Sequence, residues 1–134
     1  MKLSTRSRFG ARILLELVGS SPQNPVPVSH ISKEQEISVK YVEQLMRPLK
    51  AKNLVKSIRG PKGGHWLSKD PREISLGDVV RIFEKNSEII NCIADPVSCH
   101  RSGFCKIREA WAAAAKAFFN ELDQIFIADL ASKQ

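Results

Sequence analysis

Residues 38–67 read SVKYVEQLMRPLKAKNLVKSIRGPKGGHWL, and this stretch decides the fold. Ser38 is a residue type that caps helix N-termini. Val42, Leu45 and Leu49 follow at three- and four-residue spacing, which predicts a helix over 39–51 with an apolar stripe and a basic outer face. Pro48 removes one backbone donor from that helix, but the stripe continues past it. Residues 54–59 and 65–68 then read as two short strands. Leu54 and Ile58 form their apolar face, with Lys56 an imperfection between them. Gly60, Gly63 and Gly64 allow the backbone angles of the turn. A basic helix running into a glycine-tipped ribbon suits the major and minor grooves of a duplex.

Upstream, Phe9, Ile13, Leu14, Leu17 and Val18 share one face of a helix expected over 4–19, capped by Ser4 or Thr5 and ended near Gly19. Pro22, Pro25 and Pro27 make residues 20–27 a loop. A second helix is expected from Ser29, as N-cap, to about Glu36, burying Val28, Ile31 and Ile37. Two helices joined by a tight turn, the second one basic, form a helix-turn-helix candidate.

Downstream, Ser75-Leu76-Gly77-Asp78 resembles a capping box that opens a helix over 75–85, with Leu76, Val79, Val80 and Phe83 inward. Residues 86–105 form a long irregular stretch holding all three cysteines. From about Cys105 to Leu130 one long helix is expected. Ile107, Trp111, Ala114, Phe118, Leu122 and Ile125 give it a coiled-coil-like seam. Such a helix is about 35–40 Å long, more than so small a domain covers alone, so a homodimer is expected. The competing reading folds it back onto the first helix. The fold class is therefore mainly α with a small β-wing: a winged helix-turn-helix domain over 1–85, a cysteine-containing sensor loop over 86–105, and a dimerisation helix with its tail over 106–134.

The 134 residues carry a net charge of +7. Residues 1–69 hold 13 Lys/Arg against 4 Asp/Glu, and residues 70–134 hold 8 against 10. The basic half is the one expected to meet a polyanion. No apolar run is long enough for a bilayer and the N-terminus lacks the apolar core of a signal peptide, so a cytoplasmic protein without membrane contact is expected. Three cysteines are an odd number, which argues for metal or redox use over a disulfide framework. No Cys-x-x-Cys is present, and no nucleophile stands at suggestive spacing from a base, so no enzyme is expected.

The opening KLSTRSRFGARILLEL, the segment HISKEQEISVKYVEQLMRPLKAKNLVKSIRGPKGGHWL, and three cysteines before a long C-terminal helix resemble the Rrf-two family of bacterial transcription regulators, in its iron–sulfur cluster sensing branch. The resemblance covers nearly the whole chain and is most specific at RGPKGGHWL. It implies a homodimeric repressor or activator that binds imperfect palindromes in double-stranded promoter DNA. It also implies that Ser38, Lys40, Tyr41, Glu43, Gln44 and Arg47 face that DNA, with Arg59 and Lys62 at the wing. Glu43 can accept from a cytosine amino group and Gln44 can pair with adenine. Lys40, Tyr41 and Arg47 would hold phosphates, and Arg59 would enter a narrow minor groove.

By the same resemblance, Cys92, Cys99 and Cys105 hold a two-iron or four-iron cluster that senses redox state, iron or nitric oxide. Thiolates are soft ligands suited to such clusters and to zinc. The fourth ligand is open. One branch of the family takes a histidine three positions after the third cysteine, where this chain has Arg108; another takes an acidic residue of the partner's first helix, where this chain has Arg8. His100, Glu109 and the remote His30 are candidates, as are a small thiol or water. The competing readings are redox thiols without a cluster, zinc held with His100, and regulation by a small ligand or a partner protein.

Overall fold

The structure is a computed structural model that describes residues 2–84, 93 and 95–133. Its elements are α1 (Thr5–Glu16), α2 (Val28–Gln35), α3 (Val39–Ala51), β1 (Val55–Ile58), β2 (Gly64–Leu67), α4 (Leu76–Phe83), α5 (Lys106–Leu122) and α6 (Ile127–Ala131), with 3-10 turns at Pro71–Glu73 and Pro96–Ser98. No helix among the described residues is long and apolar enough to cross a membrane.

Local signals set most of these limits. Ser4 Oγ accepts from the Ser7 N–H and caps α1, and Ser38 Oγ accepts from the Tyr41 N–H at 3.0 Å and caps α3. At Ser75 both bonds of the capping box form, at 3.0 and 3.1 Å. The expected start of α2 is corrected: Pro27 holds the N-cap position and Ser29 lies inside the helix. Pro27, at φ −66° and ψ 147°, has the extended backbone of a residue just before a helix. Glu36 closes α2 at φ 56°, and the Ile37 N–H then reaches back to the Ser32 carbonyl at 3.1 Å. That left-handed residue forms the turn of the helix-turn-helix, and a non-glycine there costs about 1–2 kcal/mol.

One core holds the first half together. Ile13 and Leu14 of α1, Leu17 at its C-terminal cap, Ile31 of α2, and Val42, Leu45, Met46 and Leu49 of α3 are all buried. Each such side chain contributes about 1.5–3 kcal/mol by leaving water. Phe83 of α4 lies across Gly10 of α1, so close that a Cβ at Gly10 would overlap its ring. Glu84, the residue after α4, accepts from the Ser4 N–H at 2.8 Å and from Ser7 Oγ at 2.6 Å. The end of α4 is thereby tied to the start of α1.

The ribbon is antiparallel, with Val55 opposite Leu67, Lys56 opposite Trp66, Ser57 opposite His65 and Ile58 opposite Gly64. Val26 pairs with His65 on its other side through two bonds of 2.8 Å. Gly64 permits that approach, since a Cβ there would lie 2.5 Å from the Val26 carbonyl oxygen. The expected apolar face is corrected. Leu54 and Val55 are buried, whereas Ile58 is 54% exposed, because the ribbon meets the core only at its base.

The single helix expected over 105–130 is also corrected. It stops at Leu122 and restarts at Ile127. The Leu76 N–H donates to the Ile125 carbonyl and the Ile127 N–H to the Ile74 carbonyl, at 2.8 and 2.9 Å. These bonds extend residues 125–127 across the start of α4 and seat Ile127, fully buried, in the core. The 17 residues of α5 span about 25 Å. The segment after α5 thus folds back toward α1, while α5 itself buries only Ala115.

Candidate nucleic-acid interface

The outer face of α3 carries Lys40, Glu43, Gln44 and Arg47, all exposed. Their opposite face is the buried stripe, so core packing fixes which side chains point outward. Ser38 is exposed, with its hydroxyl engaged as the cap. Tyr41 is half-buried, its ring edge-on to Phe9 at 6.0 Å, so packing holds the ring and leaves only part of it at the surface. Arg59 and Lys62 are exposed on either side of Gly60 and Pro61 at the wing tip. Gly60 has φ 118°, a conformation that suits glycine.

Between helix and wing runs an open groove of about 650 Å³. Glu43, Arg47 and Lys50 line one wall, and Ser57, Ile58, Arg59 and His65 the other. The N-terminal end of α2, from Pro27 to Ser29, closes one end. The sequence reading did not single out Lys50 or His65. Lys50 continues the row of Glu43 and Arg47 by helical spacing and was legible; His65 needed the strand register. Burial holds the His65 imidazole below its ordinary value, Lys50 pushes the same way, and Glu43 partly opposes them. Its Nδ1 is buried and has no hydrogen-bond partner among the described residues.

Of the three cysteines, Cys92 lies outside the described residues. Cys99 and Cys105 are half-buried free thiols. Tight turns join them: the Ser102 N–H and hydroxyl both donate to the Cys99 carbonyl, at 3.2 and 2.9 Å, and the Phe104 N–H to the Arg101 carbonyl at 3.0 Å. Cys105 is the N-cap of α5, its sulfur accepting from the Arg108 N–H at 3.4 Å. His100 is exposed in the turn and Glu109 is exposed in the first turn of α5. His30 lies on α2, with Nε2 4.0 Å from Glu16. Among the described residues no three His, Cys, Asp or Glu side chains converge as a metal site.

Residues 3–133 match the family model described as Rrf2, iron-dependent transcriptional regulator. The chain belongs to the Rrf2 family. The Rrf2 protein of Nitratidesulfovibrio vulgaris is 38% identical over 130 residues, covering 97% of this chain and 87% of that protein. The transcriptional regulator IscR of Serratia proteamaculans is 31% identical over 134 residues, covering 100% and 81%. Among solved structures, CymR, the global cysteine regulator of Bacillus subtilis, superposes with a TM-score of 0.80 at 33% identity, covering 100% of this chain and 98% of that one. The fold is the winged helix of Rrf2 regulators, and the protein is a DNA-binding transcription regulator, not an enzyme. Within the Rrf2 fold, α3 is the second helix of the helix-turn-helix and the β1–β2 ribbon is the wing.

Proposed function

We propose that this Rrf2 regulator binds imperfect palindromes as a homodimer and that Cys92, Cys99 and Cys105 hold an iron–sulfur cluster, of two or four irons, that controls the binding. The observation that carries the reading is the place of Cys105. It caps the helix that presents Ile107, 65% exposed, and Trp111, 46% exposed, one turn apart on the same face. A second copy of α5 would cover that face. Whatever fixes the geometry of residues 92–105 therefore acts at the root of the dimer contact.

The two described cysteines support this reading. Two free, half-buried thiols stand at either end of a pair of tight turns. One of them sits at the N-terminus of α5, where the helix dipole favours negative charge on sulfur, and an N–H···S bond of this kind tunes a cluster. When bound, the cluster would supply a redox-active centre that oxygen, nitric oxide or iron shortage can alter. His100, Glu109, His30, a small thiol or water would complete its ligands. In the same reading residues 1–85 form the DNA-binding unit, 86–105 the sensor segment and 106–134 the dimer arm with its tail.

On the DNA, Glu43 and Gln44 face base edges, Lys40, Arg47 and the exposed part of Tyr41 hold phosphates beside Ser38, and Arg59 enters the minor groove with Lys62 nearby. Protein purified without oxygen is expected to be brown and to bleach in air, with iron and sulfide in equal amounts. A preparation that stays colourless after reconstitution with iron and sulfide overturns the cluster.

A second reading is favoured by the likeness to CymR over 98% of its chain. It is a cluster-free regulator answering to a thiol switch, a small ligand or a partner protein. Under it, replacing all three cysteines by alanine abolishes regulation only if a thiol is the switch, and the anaerobic protein carries no iron.

A further inference from the structure

We propose that Val39 reads a thymine methyl group and so fixes one base pair of each half-site. The inference rests on α3 being the helix that enters the major groove. Val39 is the first residue of α3 and is 43% exposed, whereas Val42, Leu45, Met46 and Leu49 of the same helix are at most 2% exposed. It takes no part in the core cluster.

Its position on the helix is specific. At 3.6 residues per turn, positions 39, 43, 46, 47 and 50 run along one side of α3. Glu43, Met46, Arg47 and Lys50 line the groove between helix and wing, and Val39 is the N-terminal end of their row. Recognition helices meet base edges with their N-terminal residues. Glu43 and Gln44 can find a donor or acceptor on a base edge, but the isopropyl group of valine cannot. The apolar feature that the major groove offers is the C5 methyl of thymine. Against a cytosine or purine edge, valine would cover polar atoms without bonding them, which costs affinity.

The test uses the full-length protein, with and without iron and sulfide reconstitution, in whichever state binds more tightly to a duplex selected from a random-sequence library. Each thymine of that duplex is replaced in turn by deoxyuridine, which removes only the methyl group. At one thymine per half-site the wild type is expected to bind three- to fourfold more weakly, the factor that corresponds to one buried methyl group. Val39→Ala is expected to bind the thymine duplex more weakly by a similar factor and to be indifferent to deoxyuridine there, while keeping the wild-type melting temperature. Val39→Thr, nearly isosteric, is expected to keep part of the methyl dependence. If Val39→Ala retains every deoxyuridine effect of the wild type, or binds with unchanged affinity, the inference fails. Gln44→Ala and Arg47→Ala separate that failure from the underlying assignment. If they weaken binding while Val39→Ala does not, only the role of Val39 is lost. If none of the three matters, α3 is not the reading helix.

Discussion

The guanidinium of Arg81 grips the carboxylate of Asp123 with two bonds, Nη1 to Oδ1 at 2.6 Å and Nη2 to Oδ2 at 2.9 Å. Arg81 also lies 4.7 Å from the centre of the Phe119 ring. The pair joins α4 to the residue at which α5 ends. Its side chains are 46% and 39% exposed, so water screens the attraction. Arg81→Ala is expected to cost about 0.5–1 kcal/mol in urea unfolding at low salt and less at high salt. A double-mutant cycle with Asp123→Ala isolates the pair.

Glu36 occupies a left-handed backbone conformation in the turn between α2 and α3. Glycine adopts that conformation without strain but loses more chain entropy on folding. Glu36→Gly is expected to stabilise the protein by about 0.5–1 kcal/mol, seen as a melting temperature a few degrees higher. Asn53, at φ 60°, is a residue type that tolerates the region, so Asn53→Gly is expected to gain less.

Gln44→Ala is expected to weaken binding to a selected operator by about 1–3 kcal/mol and to relax preference at one base pair per half-site. Lys62→Ala is expected to weaken all sequences alike and to flatten the salt dependence by about one counterion per half-site. Binding isotherms at several salt concentrations distinguish the two. If neither substitution changes them, this surface does not meet DNA.

Stability is expected to fall in two steps as pH drops. His65 is held below its ordinary value of 6.5 by burial first and Lys50 second, so the unfolded chain takes up the proton more readily. The stabilisation from neutral His65 is complete above about pH 6.5 and is lost below it. Glu84 is held below its ordinary 4.5, chiefly by the Ser7 hydroxyl. Its contribution is complete above about pH 4.5 and is lost as pH falls further. Asp123, lowered by Arg81, adds to this second step. Urea midpoints between about pH 2 and 8 should show His65→Phe flattening the upper step and Glu84→Gln part of the lower one.

What was legible in the sequence was what neighbouring residues decide. Ser38 and the Val42, Leu45, Leu49 stripe set α3 from within, and the Ser75–Asp78 capping box needs only one helical turn. The break after Leu122 was not legible. Residues 123–126 are Asp-Gln-Ile-Phe, with neither glycine nor proline, and the helix is interrupted by bonds to Ile74 and Leu76, about fifty residues away in sequence. Ile58 misled for a related reason. Alternation says which residues share a face, but the reach of the core decides how far along the ribbon that face is covered. At the site, the outward positions of α3 followed from its period. His65 emerged only once β2 was placed between β1 and Val26.

The return of residues 125–127 to the start of α4 makes the winged helix and the C-terminal helices inseparable by cutting. A fragment ending at Phe83 would keep every side chain assigned to DNA, yet it would lose Ile127 from its core and leave the backbone at Ile74 and Leu76 without partners. The two ends of α5 also have different anchors: one is a cysteine cap, the other an ion pair and a short extended segment laid against the head. Under the proposed function, a change in the cysteine segment would reach α5 at its Cys105 end, while the far end stays held against the helix that touches α1. In mechanical terms α5 would then be a lever pivoted at Asp123, and a group held by the cysteines would push where the arm is longest.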